Sequence, residues 1–180
     1  FEPPVAGAIY AHGGDWARTR DFVETAALRT DVMPMRFVAY QRFRKRPAGY
    51  IVAKFERQMA RYPGKASHDS TSLGGKLMQD LLSPEGRDDV DIEGFDMVGR
   101  RRQNLFTDYI IAIESEQIVA PRVEVLYHQH RTLRNEDIRP GGTGHPPDGF
   151  VACAMAYRAS EARPLRLAGA EHRVPIVVAR

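Results

Sequence analysis

At 180 residues the chain is long enough for one domain with a sizeable core, and its 43% hydrophobic and 27% charged content excludes a disordered or fibrous class. No apolar run approaches the roughly 20 residues of a membrane span, "FEPP" at Phe1–Pro4 has neither the basic start nor the apolar segment of a secretion signal, and the single Cys153 rules out an internal disulfide. A net charge of +3 does not by itself demand a nucleic-acid partner.

Val5 to Trp16 mixes apolar and small residues and predicts a strand that ends near Asp15. Phe22 to Leu28 predicts a second strand after the turn "RTRD". Met35 to Phe43 predicts a third, with Phe37, Ala39, Gln41 and Phe43 on one face. Three strands with short connections make an antiparallel meander. The period then changes: Ile51, Val52, Phe55, Met59 and Tyr62 recur at helical spacing, and Pro63-Gly64 stops the helix.

Lys65 to Asp69 is a short strand candidate, and "STSLGGKLMQDLL" predicts a helix capped by Ser or Thr. Asp91 to Val98 predicts a strand. Arg100 to Gln117 predicts a helix with Leu105, Tyr109, Ile110 and Ile113 along one stripe. "IVAPRVEVLYHQH" reads as a short strand, a Pro break and a helix, and Arg139 to Pro147 as a loop. Asp148 to Ser160 predicts a buried helix, with Cys153 as a small core residue. Residues 1–160 are expected to form the domain and 161–180 a tail. This order predicts an α/β fold: a mixed sheet, the meander extended by parallel strands, with helices on both faces.

Three aspartates fall at element ends. Asp15 closes the first strand, Asp69 the fourth, and Asp148 opens the last helix. Sites in open α/β sheets collect beyond the carboxyl ends of strands. Clustered carboxylates in a partly dry site either take up protons or need a cation, and oxygen donors with no nearby Cys favour Mg²⁺ or Mn²⁺. Two such ions, roughly 3.5–4 Å apart, clamp the attacking and leaving oxygens of a phosphoryl displacement. Each residue also has a local reading. Asp15 is a turn residue beside Gly13-Gly14, Asp69 a cap for the next helix, and Asp148 an N-cap. Gly74 and Gly75 leave room for backbone near Asp69. Cations gather at Arg42, Arg44, Lys45 and Arg46, and at Arg100, Arg101 and Arg102, the latter opening a helix whose dipole adds positive potential. Such one-sided clusters are either a phosphate-binding face or solvated loops.

"GGDWARTRDF", "ASHDSTSLGGKLMQDLL", "MVGRRRQNLFTDYIIAIESEQIVAP" and "HPPDGFVACAMAYRA" together resemble the nuclease domain of the tailed-phage large terminase subunit, a ribonuclease-H-like fold. The resemblance spans Ile9 to Ala159. It implies that Asp15, Asp69 and Asp148 are metal ligands and the catalytic set. It implies metal-dependent endonucleolytic cleavage of double-stranded DNA, with little sequence preference, during viral genome packaging. It further implies an upstream ATPase motor domain, the portal and the small terminase subunit as partners, and the cytoplasm of an infected bacterium as the setting. The sequence opens without Met, so an excised domain is expected. Two features depart from the family pattern: the second acid, often Glu in ribonuclease-H folds, is Asp69, and no fourth carboxylate is evident. His68 and His145 are candidate auxiliaries. No G-x-x-x-x-G-K-[ST] occurs, so no ATPase site is expected here. The rival readings are a junction resolvase or transposase core, and a non-catalytic DNA-binding or motor-docking domain.

Overall fold

The three opening strands form as β1 (Tyr10–Asp15), β2 (Phe22–Arg29) and β3 (Met35–Arg44). A computed structural model describes residues 1–16, 22–71, 73–82, 91–139 and 144–161. The turn expected at 18–21 and all but the first residue of the expected tail lie outside the described residues. β1 begins at Tyr10 rather than Val5, because Gly7 turns the chain at φ +76° and the Ala8 N–H closes on the Val5 carbonyl at 3.2 Å.

The change of period after β3 yields α1 (Ala48–Arg61), which buries Ile51, Val52 and Phe55. Then come β4 (Gly64–Asp69), α2 (Leu73–Leu82) and β5 (Ile92–Phe95). β5 is shorter than the expected Asp91–Val98, since Val98 already caps α3 (Gly99–Glu114) and Gly99 takes φ +53°. The chain continues through β6 (Ile118–Val119), α4 (Glu124–Arg131), the unpredicted single turn α5 (Asn135–Ile138) and α6 (Asp148–Ala159).

The strands lie in the order β5-β4-β1-β2-β3-β6. The meander is antiparallel, β4 and β5 extend it parallel to β1, and β6 runs parallel to β3. Helices cover both faces, as expected. On one side Trp16, Val23 and Ala66 pack with Phe55 of α1 and Met78 and Leu82 of α2. On the other, Ala26, Leu28 and Phe37 pack with Phe106 and Tyr109 of α3, Leu126 of α4, and Phe150 and Met155 of α6. Cys153 is buried within α6.

The position of α6 depends on Gly13. A Cβ there would stand 1.9 Å from the Ala152 carbonyl oxygen and 2.3 Å from the Ala156 nitrogen, so the helix backbone rests directly on β1. The small residues Ala152 and Ala156, one turn apart on the face toward β1, permit that approach, and both are fully buried. Among the described residues no helix is long and apolar enough to cross a membrane.

Candidate functional site

Strand register assembles the site. Asp15 lies opposite Glu24, and Glu24 opposite Arg42. On the other side Gly14 pairs with His68, which places Asp69 beside Asp15 one step further along, and Asp69 pairs with Phe95. Neighbouring strands are about 4.8 Å apart. Side chains alternate between faces, and Gly13 touches α6, so Asp15 points to that face also. The Ser67 hydroxyl meets the Met155 sulfur at 3.7 Å, so Asp69 does likewise. The row Phe95–Asp69–Asp15–Glu24–Arg42 therefore crosses five strands beneath α6.

Asp148 opens α6 at this same end. Its Oδ2 accepts the Phe22 N–H at 3.3 Å. The N-cap reading of Asp148 does not hold: Pro147 is the cap residue and makes no side-chain bond. Asp69 Oδ1 accepts the Thr71 N–H at 2.8 Å, a turn bond in the segment before α2 opens at Leu73 rather than a bond to the helix itself. Gly75 provides the expected room, as a Cβ there would lie 2.2 Å from the Asp69 carbonyl oxygen.

All three aspartates are half-buried. Their oxygen-only donor set suits Mg²⁺ or Mn²⁺. Among the described residues no three His, Cys, Asp or Glu side chains stand close enough to share an ion. The backbone thus brings the acids to one edge, and two of the carboxylates are bonded to amides there.

Glu24 is the carboxylate that sequence reading missed. It is 0% exposed. Its Oε1 accepts from Arg42 Nε at 2.8 Å and from Gln129 Nε2 at 2.9 Å, and its Oε2 accepts the Tyr40 hydroxyl. Burial and this bond hold the Tyr40 phenol well above its ordinary pKa. The signal in the sequence is an acid in phase with Ala26 and Leu28 on the apolar face of β2.

The predicted cations divide. Arg44, Lys45, Arg46, Arg100 and Arg101 are exposed. Arg42 pairs with Glu24 and lies 3.3 Å over the Phe22 ring, its side chain one-third exposed, so it belongs to the fold of the site as much as to a phosphate face. Arg102 turns inward and donates to the Asp137 and Gly144 carbonyls at 2.5 and 3.0 Å, tying α3 to the segment before α6. In this position it braces α3.

His68 also departs from expectation. Adjacent strand residues face opposite sides, so it points away from Asp69. There it donates to Gln79 of α2 at 2.5 Å and packs on Trp16, and burial lowers its pKa. His145 is exposed on the approach to α6.

No protein-family model and no curated protein sequence matches the chain. Solved structures do. The large terminase nuclease of thermophilic phage G20c superposes with a TM-score of 0.71 at 18% identity, covering 87% of this chain and 85% of that one. The fold is that of the large terminase nuclease. The same phage nuclease with bound magnesium matches at TM-score 0.70 and 17% identity, over 87% of this chain and 84% of that one. The nuclease domain of the bacteriophage SPP1 large terminase, with bound Mn, matches at 0.60 and 13%, over 83% and 85%. The large terminase of HK97 matches at 0.64 and 10%; 89% of this chain aligns with 41% of that one.

Proposed function

We propose that this chain is the nuclease domain of a phage large terminase, a divalent-metal-dependent endonuclease that cuts double-stranded DNA with little sequence preference during genome packaging. One observation carries the reading: strand register and the α6 start bring Asp15, Asp69 and Asp148 to one edge of a sheet with the terminase-nuclease fold. Solved relatives with magnesium or Mn bound support a divalent cofactor.

In this reading Asp15, Asp69 and Asp148, whose side chains do not converge on one point without an ion, would draw together to hold Mg²⁺ or Mn²⁺, two ions in all. When bound, the ions supply Lewis acidity toward a phosphoryl oxygen. By holding the ions, the three carboxylates would fix where a scissile phosphate lies, and no side-chain nucleophile is required. Arg44, Lys45, Arg46, Arg100 and Arg101 grip the phosphate backbone, which makes binding salt-sensitive and insensitive to sequence. An ATPase motor upstream in the full protein, with portal and small subunit, would deliver the DNA in the bacterial cytoplasm.

The test is nicking of supercoiled plasmid in Mn²⁺. Asp15→Asn is expected to abolish nicking while DNA affinity stays within about twofold. Full nicking by that variant would overturn the reading.

A further inference from the structure

We infer that Glu24 is a positioning residue that pins the first turn of α6, and with it the Asp148 carboxylate, against the ends of β1 and β2. The consequence for cleavage rests on the nuclease reading; the positioning itself does not.

Glu24 is fully buried one strand from Asp15. An acid placed there adds repulsion to an acidic edge, and a buried ion pair is a poor stabilising device, since apolar residues of similar volume often serve as well or better. Its geometry instead serves the start of α6. Donors from two elements fix the carboxylate: Tyr40 and Arg42 from β3, and Gln129 from α4. The second residue of α6 packs directly on this assembly. A Cβ on Gly149 would stand 2.0 Å from Gln129 Oε1 and 2.4 Å from Glu24 Oε2, so the first turn has no slack. A second connection runs through Arg42, whose guanidinium covers the Phe22 ring at 3.3 Å while the Phe22 N–H donates to Asp148 at 3.3 Å. The same pair that neutralises Glu24 thus holds the donor that orients Asp148.

Hydrogen exchange on the metal-free protein tests the positioning. In the wild type the Phe22 amide is bonded to Asp148, and the Val151 amide to the Pro147 carbonyl at 3.1 Å. Glu24→Gln is expected to speed exchange at these two amides at least tenfold, with the Ala156 amide unchanged. Mn²⁺-dependent nicking is expected to need about 10–100-fold more Mn²⁺ for half-maximal rate and to lose kcat with an unchanged KM for DNA. Faster exchange along all of α6 would mark a general stability effect and overturn the inference, as would unchanged exchange together with unchanged Mn²⁺ demand. If Glu24→Gln does not fold, Tyr40→Phe removes one donor only and is read the same way. Asp15→Asn separates the two claims: full nicking there rejects the nuclease reading, while the exchange result still decides the role of Glu24.

Discussion

Replacing Gly13 with Ala puts one methyl group at the tightest contact between α6 and the sheet. The added carbon would meet Ala152 O at 1.9 Å and Ala156 N at 2.3 Å. Both are backbone atoms of a buried helix, so no side-chain rotation relieves the overlap. Reaching ordinary contact requires α6 to retreat by about 1.5 Å, an overpacking that costs about 1–3 kcal/mol. For a domain of this size that lowers Tm by roughly 2–12 °C. Gly49, in the first turn of α1, is the control, because a Cβ there meets nothing within 4 Å. Gly49→Ala is expected to raise Tm slightly, through the lower entropy of the unfolded chain and the better helix propensity of Ala. Thermal melts followed by circular dichroism compare the two. The same retreat displaces Asp148, so Gly13→Ala is also expected to depress nicking about 10²-fold. A Gly13→Ala protein that melts within about 1 °C of wild type would refute the claim that the two backbones touch.

Acidification supplies an independent check. Burial lowers the His12 pKa to about 4, with the Tyr62 carbonyl accepting from its Nε2 at 2.6 Å. The unfolded chain therefore takes up the proton first. Stability is full above about pH 6.5 and declines toward pH 4, by about 2 kcal/mol at pH 5 from His12 alone, and buried His68 and His130 act in the same direction. A denaturant midpoint equal at pH 7 and pH 5 would contradict this. Arg101→Ala is expected to weaken DNA binding and reduce the salt slope by about 1, whereas Arg102→Ala is expected to lower Tm by a few degrees and leave the salt slope unchanged; titrations at several salt concentrations distinguish them. Burial raises the Cys153 thiol far above its ordinary pKa, so a thiol reagent is expected to label the native protein negligibly and the denatured protein once per chain.

The legible parts of the fold are those with strong local periodicity. Alternation marks β3, the stretch Phe22 to Leu28 after a turn marks β2, helical spacing marks α1 and α3, and the apolar run from Phe150 to Tyr157 marks α6. All of these form where expected. Element ends mark Asp15, Asp69 and Asp148, because a carboxylate at the end of a strand or the start of a helix breaks the surrounding pattern. Less legible are the roles decided by which way a side chain turns. Glu24 stands in phase with the apolar Ala26 and Leu28, but its role shows only once Gln129, 105 positions away, is found bonded to it. Arg102 differs from its neighbours only by facing Asp137 and Gly144. His68 is carried to the far face by the alternation that sends Asp69 to the near one. α5, a single turn, is too short to show a period.

The acidic edge also has a history in time. Phe22 and Asp148 are 126 positions apart, and Asp148 lies on the last described helix. A growing polypeptide carries Asp15 and Asp69 long before the segment that completes the trio leaves the ribosome. Closure therefore waits on a contact of very long sequence separation, among the slowest kinds to form. Nascent or truncated copies lacking α6 lack Asp148, so the acidic edge is complete only in the finished domain.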